Sequence, residues 1–517
     1  MTTPLKERGA GDLRPALFSF ITLRRERSGA LIFNPFLSEE REFSALGALV
    51  AERCTGAHTV DRIVEECRTT FGLDREEASR KVQESLAELN RIAAVRLGEF
   101  GETSPPGHAP PPPSQASPAS SNAALSAPKS VIWDVTYACN LDCPHCLTAS
   151  GKQRATELDT AGAYALIDVL AAAKVLYLSL SGGEPFLRPD IIELLTHIAT
   201  TGMRVDIATN GHCLPDRLLH ALRDLPVFQV QVSIDGVGAE HDAFRGRQGA
   251  FANACDTLRR LKGEGIATSI SSTATARNIG RLTEIVDLAV ALGCTGYKAI
   301  PFIPAGRGEA SESSLRLDQE GSLRLSRILA EAGRKHAGRL QVSMESTYAF
   351  LLDPPVPPAA ENGMMICSAG YDTLSVGADG TAYPCPFLQS FPLGNLLERS
   401  MSRVWHESPI LDEMRTLDKQ AMSGPCATCE YAPVHCRGGC RASAYHLCGS
   451  LRGSDPLCFK DLVPPHAPAS RAKRSGRRPG PSGIATSPAC TSNPGPACGE
   501  PAVGGEKGGK SGGYADA

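Results

Sequence analysis

Between Val131 and Phe302 the chain alternates two rhythms of apolar and polar positions. Short apolar and β-branched runs at Val131 to Thr136, Val175 to Ser181, Arg204 to Thr209, Phe228 to Ile234, Ile266 to Ser272 and Tyr297 to Phe302 read as strands. A helical stretch separates each pair. Strand and helix repeating in series predict parallel strands with right-handed crossovers, hence a barrel or an open doubly wound sheet. Ligand chemistry in such folds gathers at the carboxyl ends of the strands.

The N-terminal pattern is different. Leu17 to Glu26 and Ala30 to Asn34 predict two short strands about a turn at Ser28-Gly29. Val60, Ile63, Val64 and Cys67 then fall at helical spacing behind a Thr59 N-cap, and Val82, Leu86 and Leu89 repeat the rhythm on a third helix. A ribbon with three helices is a winged-helix-like module, near the smallest size that folds alone. Glu39, Glu40, Glu65, Glu66, Glu76 and Glu77 lie among its basic residues and argue against a DNA-reading face. Residues 101–129, with Pro110 to Pro113, are rich in Pro, Ala and Ser and predict a disordered spacer; residues 463–517, with a basic run from Arg471 to Arg478, predict a disordered tail.

Charge narrows the partners. A net charge of -3 and a pI near 6.5 offer no global attraction to nucleic acid or anionic lipid. Met1 to Leu13 is polar, and the most apolar stretch, Ala161 to Leu180, is broken by Asp168 and Lys174, so a soluble cytoplasmic protein without a membrane partner is expected.

Eighteen cysteines in such a chain favour metal or redox chemistry over disulfides. Cys54, Cys67, Cys213, Cys255 and Cys294 stand apart and read as small buried hydrophobes. Cys139, Cys143 and Cys146 follow the first barrel strand with the spacing CxxxCxxC. Three thiolates can hold three irons of a [4Fe-4S] cluster and leave the fourth open, whereas structural zinc wants four ligands. Further motifs close the next strands: Gly182-Gly183-Glu184, then Thr209-Asn210-Gly211, then Ser233-Ile234-Asp235-Gly236 with Arg245 beyond. Taken singly, each is also an ordinary turn. Near the C-terminus stand Cys367, Cys385, Cys426, Cys429, Cys436, Cys440 and Cys458, of which CxxC followed by CxxxC would equally suit a zinc ribbon.

Together, the cysteine loop and the strand-end motifs resemble the radical S-adenosylmethionine superfamily over residues 130–340. The resemblance implies an α/β fold with a partial (β/α)6 TIM-type barrel. It implies that Cys139, Cys143 and Cys146 hold a [4Fe-4S] cluster whose open iron binds S-adenosylmethionine. By the same resemblance Gly182, Gly183 and Glu184 contact the methionine amine, Thr209, Asn210, Ser233 and Asp235 belong to the cofactor site with the ribose, and Arg245 pairs with the carboxylate. Reductive cleavage would then give a 5'-deoxyadenosyl radical, with a flavodoxin or ferredoxin as electron donor.

Residues 341–462 resemble the SPASM auxiliary-cluster domain. That implies up to two more [4Fe-4S] clusters, one on Cys426, Cys429, Cys436 and Cys458 and the other on Cys367, Cys385 and Cys440, with Cys448 a candidate fourth ligand. In sulfatase-maturing relatives an acidic base follows the second cysteine; here Cys385 precedes Pro386, which takes no proton. Residues 14–100, through Gly29 to Pro35, Cys54-Thr55-Gly56 and Thr59 to Ile63, resemble the family of the pyrroloquinoline quinone peptide chaperone (PqqD), which implies capture of a precursor-peptide leader as an added strand. Ile132 to Leu141 and Cys436 to Cys440 look most like the mycofactocin and pyrroloquinoline quinone maturases. The expected function is radical modification of a ribosomally made peptide. A small-molecule maturase, for example of tetrapyrroles, and a non-catalytic peptide-binding iron-sulfur scaffold are the alternatives.

Overall fold

The computed structural model describes residues 13–97, 125–343, 348–352, 367–417, 420–432 and 436–464. The N-terminal domain comprises β1 (Pro15–Leu17), β2 (Thr22–Glu26), β3 (Gly29–Asn34), β4 (Glu39–Ser44), α1 (Ala45–Arg53), α2 (Val60–Phe71), α3 (Arg75–Arg91) and β5 (Val95–Leu97). Strands β2, β3 and β4 form an antiparallel sheet, and β1 pairs with β5. Thr59 does cap α2, accepting from Arg62 N–H, and Gly72 ends it in the left-handed conformation. The ribbon therefore has a third strand that the apolar pattern does not announce. Glu39–Ser44 is mostly charged, and only Arg41 and Phe43 turn inward.

The barrel follows as β6 (Ser130–Thr136), α4 (Thr160–Ala172), β7 (Tyr177–Gly182), α5 (Ile191–Ala199), β8 (Arg204–Thr209), α6 (Asp216–Asp224) and β9 (Val227–Ser233). It continues with α7 (Ala239–Arg245), α8 (Ala250–Gly263), β10 (Thr268–Ala274), α9 (Leu282–Leu292), β11 (Gly296–Pro301), α10 (Glu312–Leu315), α11 (Gln319–Lys335) and β12 (Gln341–Ser343). Strands β6 to β12 are parallel neighbours in sequence order. Alternation places Val131, Trp133 and Val135 of β6, Leu178 and Leu180 of β7 and Val205 and Ile207 of β8 in one core with Leu166, Ile167 and Leu170 of α4. The intervening residues of β6, Asp134 and Thr136, face the opposite side of the sheet.

The sheet does not stop at the barrel. The C-terminal domain contributes β13 (Thr373–Val376), β14 (Thr381–Tyr383) and β15 (Gly394–Asn395), followed by α12 (Met401–His406), α13 (Pro409–Thr416) and α14 (Arg441–Cys448). Strand β13 pairs in parallel with β6 and so covers the free edge of the first barrel strand. All described residues belong to one compact unit that runs to Pro465.

The N-terminal sheet is wedged against the starts of the barrel strands. Leu31 and Phe33 of β3 pack on Leu176 and Tyr177, which leads β7. Arg24 is buried; its Nη1 donates to the carbonyls of Pro128 (2.9 Å) and Lys174 (3.2 Å), and its Nε to Glu26 (2.7 Å). Lys129 Nζ bonds Glu40 at 2.9 Å, and Arg204, first residue of β8, reaches the Ser38 hydroxyl. The last residues of the expected spacer are thus held in place. Trp405 donates to the Leu125 carbonyl at 2.7 Å, and Ala127 is buried in the main core. The rest of that spacer, residues 101–124, and the expected tail beyond Pro464 lie outside the described residues. Cys54, Cys67, Cys255 and Cys294 are buried as expected, but Cys213 is exposed, because it sits in the loop after β8 rather than on an inward face.

Candidate functional site

The strand-end motifs meet at the cysteine loop. Cys139 N–H donates to the Gly151 carbonyl at 2.8 Å and Gly151 N–H to that of Tyr137 at 3.0 Å, which closes residues 139–150 into a loop at the end of β6. Gly182 and Gly183 press directly on its entry. A Cβ on Gly183 would stand 2.2 Å from the Ala138 carbonyl oxygen, and one on Gly182 would stand 2.3 Å from that of Thr136. Gly183 N–H bonds the Thr136 carbonyl at 2.7 Å and Glu184 N–H bonds that of Ala138 at 2.8 Å. The two glycines therefore serve first to let backbone approach backbone.

Glu184 is fully buried and ties three segments together. Its carboxylate accepts from the Thr209 hydroxyl (2.7 Å), Asn210 N–H (2.7 Å) and Phe186 N–H (3.0 Å). Burial pushes its carboxyl up to about 7, against the pull of those hydrogen bonds. Asn210 in turn donates to Asn140 at 2.8 Å and to the Cys139 sulfur at 3.8 Å. Asp235 accepts from Thr273 N–H at 2.7 Å and forms an ion pair with Arg245 Nη2 at 2.6 Å, while Arg245 Nη1 donates to the Cys143 sulfur at 3.7 Å. Ser233 ends β9, half-buried, in register with Ser271. Every strand-end residue expected from the sequence thus lies on the cysteine-loop side of the sheet, and Glu184, Thr209, Asn210, Asp235 and Arg245 join the loop in one network.

The donor set fits an iron-sulfur cluster. Each thiol accepts a hydrogen bond: Cys139 from Asn210, Cys143 from Arg245, and Cys146 from Ser150 N–H at 3.4 Å. Burial raises the Cys139 thiol to about 11 and raises Cys143 as well, so both stay protonated at neutral pH until a metal takes the sulfur. Two buried nitrogens, Arg245 Nε and His145 Nδ1, find no hydrogen-bond partner among the described residues. Among the described residues no three His, Cys, Asp or Glu side chains converge as one metal ion requires; in a [4Fe-4S] cluster each thiolate binds a different iron.

Sequence reasoning missed three participants. His145, inside the motif itself, stacks on Phe244 with ring centroids 4.6 Å apart and approaches Asp235 at 3.6 Å; burial pushes its imidazole down to about 4. Arg307 pairs with Asp142 at 2.6 Å and donates to the Cys143 carbonyl at 3.1 Å. The signal for it was Gly306-Arg307-Gly308 after β11, where a Cβ on Gly306 would meet the Leu147 carbonyl oxygen at 2.2 Å. The third is Asp134, 2 % exposed, with its Cβ beside Gly182 and one oxygen 3.5 Å from Gln389 Nε2. Burial pushes its carboxyl up to about 7, opposed by Arg154.

The seven C-terminal cysteines fall into two groups. Cys426, Cys429, Cys436 and Cys458 line one cavity, walled by Tyr348, Phe350 and Tyr431. Burial raises Cys436 to about 11 and Cys458 to about 12, and neighbouring thiols of the same group add to both. Cys367, Cys385 and Cys440 gather against Leu388, Met414 and Ala442 with Phe387, Phe391 and Tyr445 around them. Burial holds all three thiols up, Cys440 to about 12. Cys448 ends α14, whose N-cap is Cys440, about 12 Å away along the helix, and its thiol donates to the Ser454 carbonyl.

A parallel barrel carrying a three-cysteine loop and a cysteine-rich extension defines a class, iron-sulfur enzymes that act on S-adenosylmethionine. The model of the radical SAM superfamily matches residues 133–288, that of an iron-sulfur cluster-binding domain, SPASM, residues 367–430, and that of coenzyme PQQ synthesis protein D residues 37–93. An AdoMet-dependent heme synthase of Methanosarcina barkeri is 32% identical over 65% of this chain and 98% of its own length. A mycofactocin maturase, MftC, of Mycobacterium tuberculosis is 33% identical over 68% of this chain and 90% of its own. Streptococcus suis SuiB, solved with precursor peptide SuiA, shares the fold with a TM-score of 0.63 at 15% identity, covering 86% of this chain and 99% of that one. The chain belongs to the radical S-adenosylmethionine superfamily. It is an enzyme with a [4Fe-4S] cluster that binds S-adenosylmethionine and with auxiliary clusters in its SPASM domain, which retires the scaffold alternative. No helix of the described residues is long and apolar enough to cross a membrane.

Proposed function

We propose that this enzyme modifies side chains of a ribosomally made precursor peptide. The observation that carries the reading is the fusion: a domain matched by the PqqD model is anchored to the barrel that bears the cysteine loop by the buried Arg24, which donates to the Pro128 and Lys174 carbonyls, and by the half-buried Lys129–Glu40 ion pair. The names of the MftC relative and of the SuiB complex support it.

In this reading Cys139, Cys143 and Cys146 hold the first cluster. Gly182, Gly183, Glu184, Thr209, Asn210, Ser233, Asp235 and Arg245 form the cofactor site. Cys426, Cys429, Cys436 and Cys458 hold one auxiliary cluster, and Cys367, Cys385 and Cys440 give three ligands to the other. Bound cluster and cofactor supply a 5'-deoxyadenosyl radical, and the protein supplies orientation and shielding. Three of roughly four acceptor directions on the Glu184 carboxylate are occupied, which leaves capacity for an ammonium donor. Arg245 neutralises Asp235 and keeps a buried Nε without a hydrogen-bond partner among the described residues, a donor for an anionic group. The leader adds to the N-terminal sheet, and one chain holding both sites raises the local concentration of the core segment. A flavodoxin or ferredoxin would supply electrons in the cytoplasm.

The test is anaerobic turnover with S-adenosylmethionine, reductant and short peptides encoded beside the gene. A mass change in the peptide with one 5'-deoxyadenosine per event supports the reading. Equal turnover of a peptide lacking its leader would sink it. Truncating the peptide is the informative step, because deleting the N-terminal domain would strip the cover from Leu176 and Tyr177. The M. barkeri relative favours a second reading, maturation of a tetrapyrrole. Turnover of a porphyrin precursor, with peptides inert, would select it.

A further inference from the structure

One buried carboxylate lies between the two C-terminal cysteine groups. Asp455 is 3% exposed and accepts four hydrogen bonds. Its Oδ2 takes Cys440 N–H at 2.8 Å and the Tyr348 hydroxyl at 2.5 Å; its Oδ1 takes the Ser443 hydroxyl at 2.6 Å and Leu457 N–H at 3.0 Å. Its own carbonyl accepts from Cys458 N–H at 3.2 Å. Cys440 belongs to the group of three, whereas Cys458 and Tyr348 line the cavity of the group of four, as Asp455 itself does. Gly439 makes room: a Cβ there would stand 2.8 Å from Asp455 Oδ2.

Asp455 is already saturated, since four donors are about all that a carboxylate accepts. It is therefore not the missing fourth iron ligand. Nor, among the described residues, is a cation bonded to it. The neighbouring Arg441 guanidinium donates to the carbonyls of Gly438, Gly439, Leu451 and Gly453 instead. A full negative charge is thus held by neutral donors in a poorly polarisable interior, where charges act strongly on one another.

We propose that Asp455 is a positioning residue common to both auxiliary sites, whose single buried charge lowers the two reduction potentials together. The proposal rests on the auxiliary-cluster assignment above. Adding an electron to either cluster brings negative charge toward the carboxylate, so each cluster is harder to reduce while Asp455 is present.

The test uses the full chain, reconstituted anaerobically, as wild type, Asp455→Asn and Ser443→Ala. Iron and sulfide per chain are counted, and the cluster signals are titrated by electron paramagnetic resonance against potential. Asp455→Asn should keep the iron and move both auxiliary potentials positive. Ser443→Ala keeps the charge but removes one donor, so both should move negative. A shift confined to one cluster, no shift, or the same sign in both variants would overturn the proposal. If Asp455→Asn loses iron, opposite-going shifts in Ser443→Ala still support it and a silent Ser443→Ala refutes it. Wild-type protein lacking two auxiliary clusters would instead remove the assignment on which it stands.

Discussion

Replacing Gly183 with alanine should cost the first cluster and spare the others. The added Cβ would lie 2.2 Å from the Ala138 carbonyl oxygen and 2.7 Å from its carbon, and both are backbone atoms that cannot rotate away. Reaching ordinary contact requires the end of β7 and the entry to Cys139 to part by about 1 Å. Two hydrogen bonds cross that seam, from Gly183 N–H to Thr136 at 2.7 Å and from Glu184 N–H to Ala138 at 2.8 Å. A further 1 Å takes both beyond bonding range, and leaving buried groups unpaired costs about 1 to 3 kcal/mol for each bond. The closed loop then loses about 2 to 6 kcal/mol, or roughly 30-fold or more in population. Iron per chain after anaerobic reconstitution should fall by one cluster, and release of 5'-deoxyadenosine should disappear, with the far-ultraviolet circular dichroism unchanged. Wild-type iron and wild-type cofactor cleavage in this variant would refute the close-approach argument.

Three further outcomes are expected. Burial holds the Asp134 carboxyl at about 7, above its ordinary 3.8, so its proton stabilises the fold fully below pH 4 and that stability is lost as pH rises through 7. Asp134→Asn should therefore gain on wild type between pH 5 and pH 8 in thermal unfolding of the apoprotein, on the order of 3 kcal/mol over that range; a constant difference across that range would contradict it. Cys448→Ser should leave iron per chain unchanged, because the thiol sits at the far end of α14 from Cys440, and a loss of iron would make Cys448 a ligand after all. Arg24→Ala strands Glu26 and two carbonyls beneath the N-terminal sheet and should lower stability by about 3 to 5 kcal/mol, measured by denaturant unfolding; an unchanged midpoint would mean the docked face is solvated.

Local pattern carried six of the barrel strands because each has a buried face and turn residues at its ends, and their observed limits differ from the expected ones by only a residue or two; β12, three residues long and without a buried position, was not announced by it. The cysteines were legible by spacing, since a helix N-cap at Cys440 and tight loops at Cys139 and Cys426 fix their neighbours locally. Other features leave no local trace. Strand β4 is charged because Glu40 and Glu42 meet Lys129, some ninety positions away. The pairing of β13 with β6 is more distant still, since Thr373 stands opposite Ser130. Glu184 read as a ligand contact from its motif, and its embedding among Thr209, Asn210 and Phe186 appears only once two strand ends are brought together.

The N-terminal sheet meets Lys129, Tyr177 and Arg204, at the beginnings of strands whose ends carry the cysteine loop and Gly182. Strands of six or seven residues separate those two levels by about 20 Å. A peptide whose leader adds to that sheet, as proposed above, would therefore climb the height of the barrel before any of its side chains met the radical. Extended chain advances at most about 3.3 to 3.6 Å per residue, so at least some six residues are consumed in transit. The docked sheet thereby acts as a ruler: residues nearer the leader than that lie out of reach, whatever their chemistry.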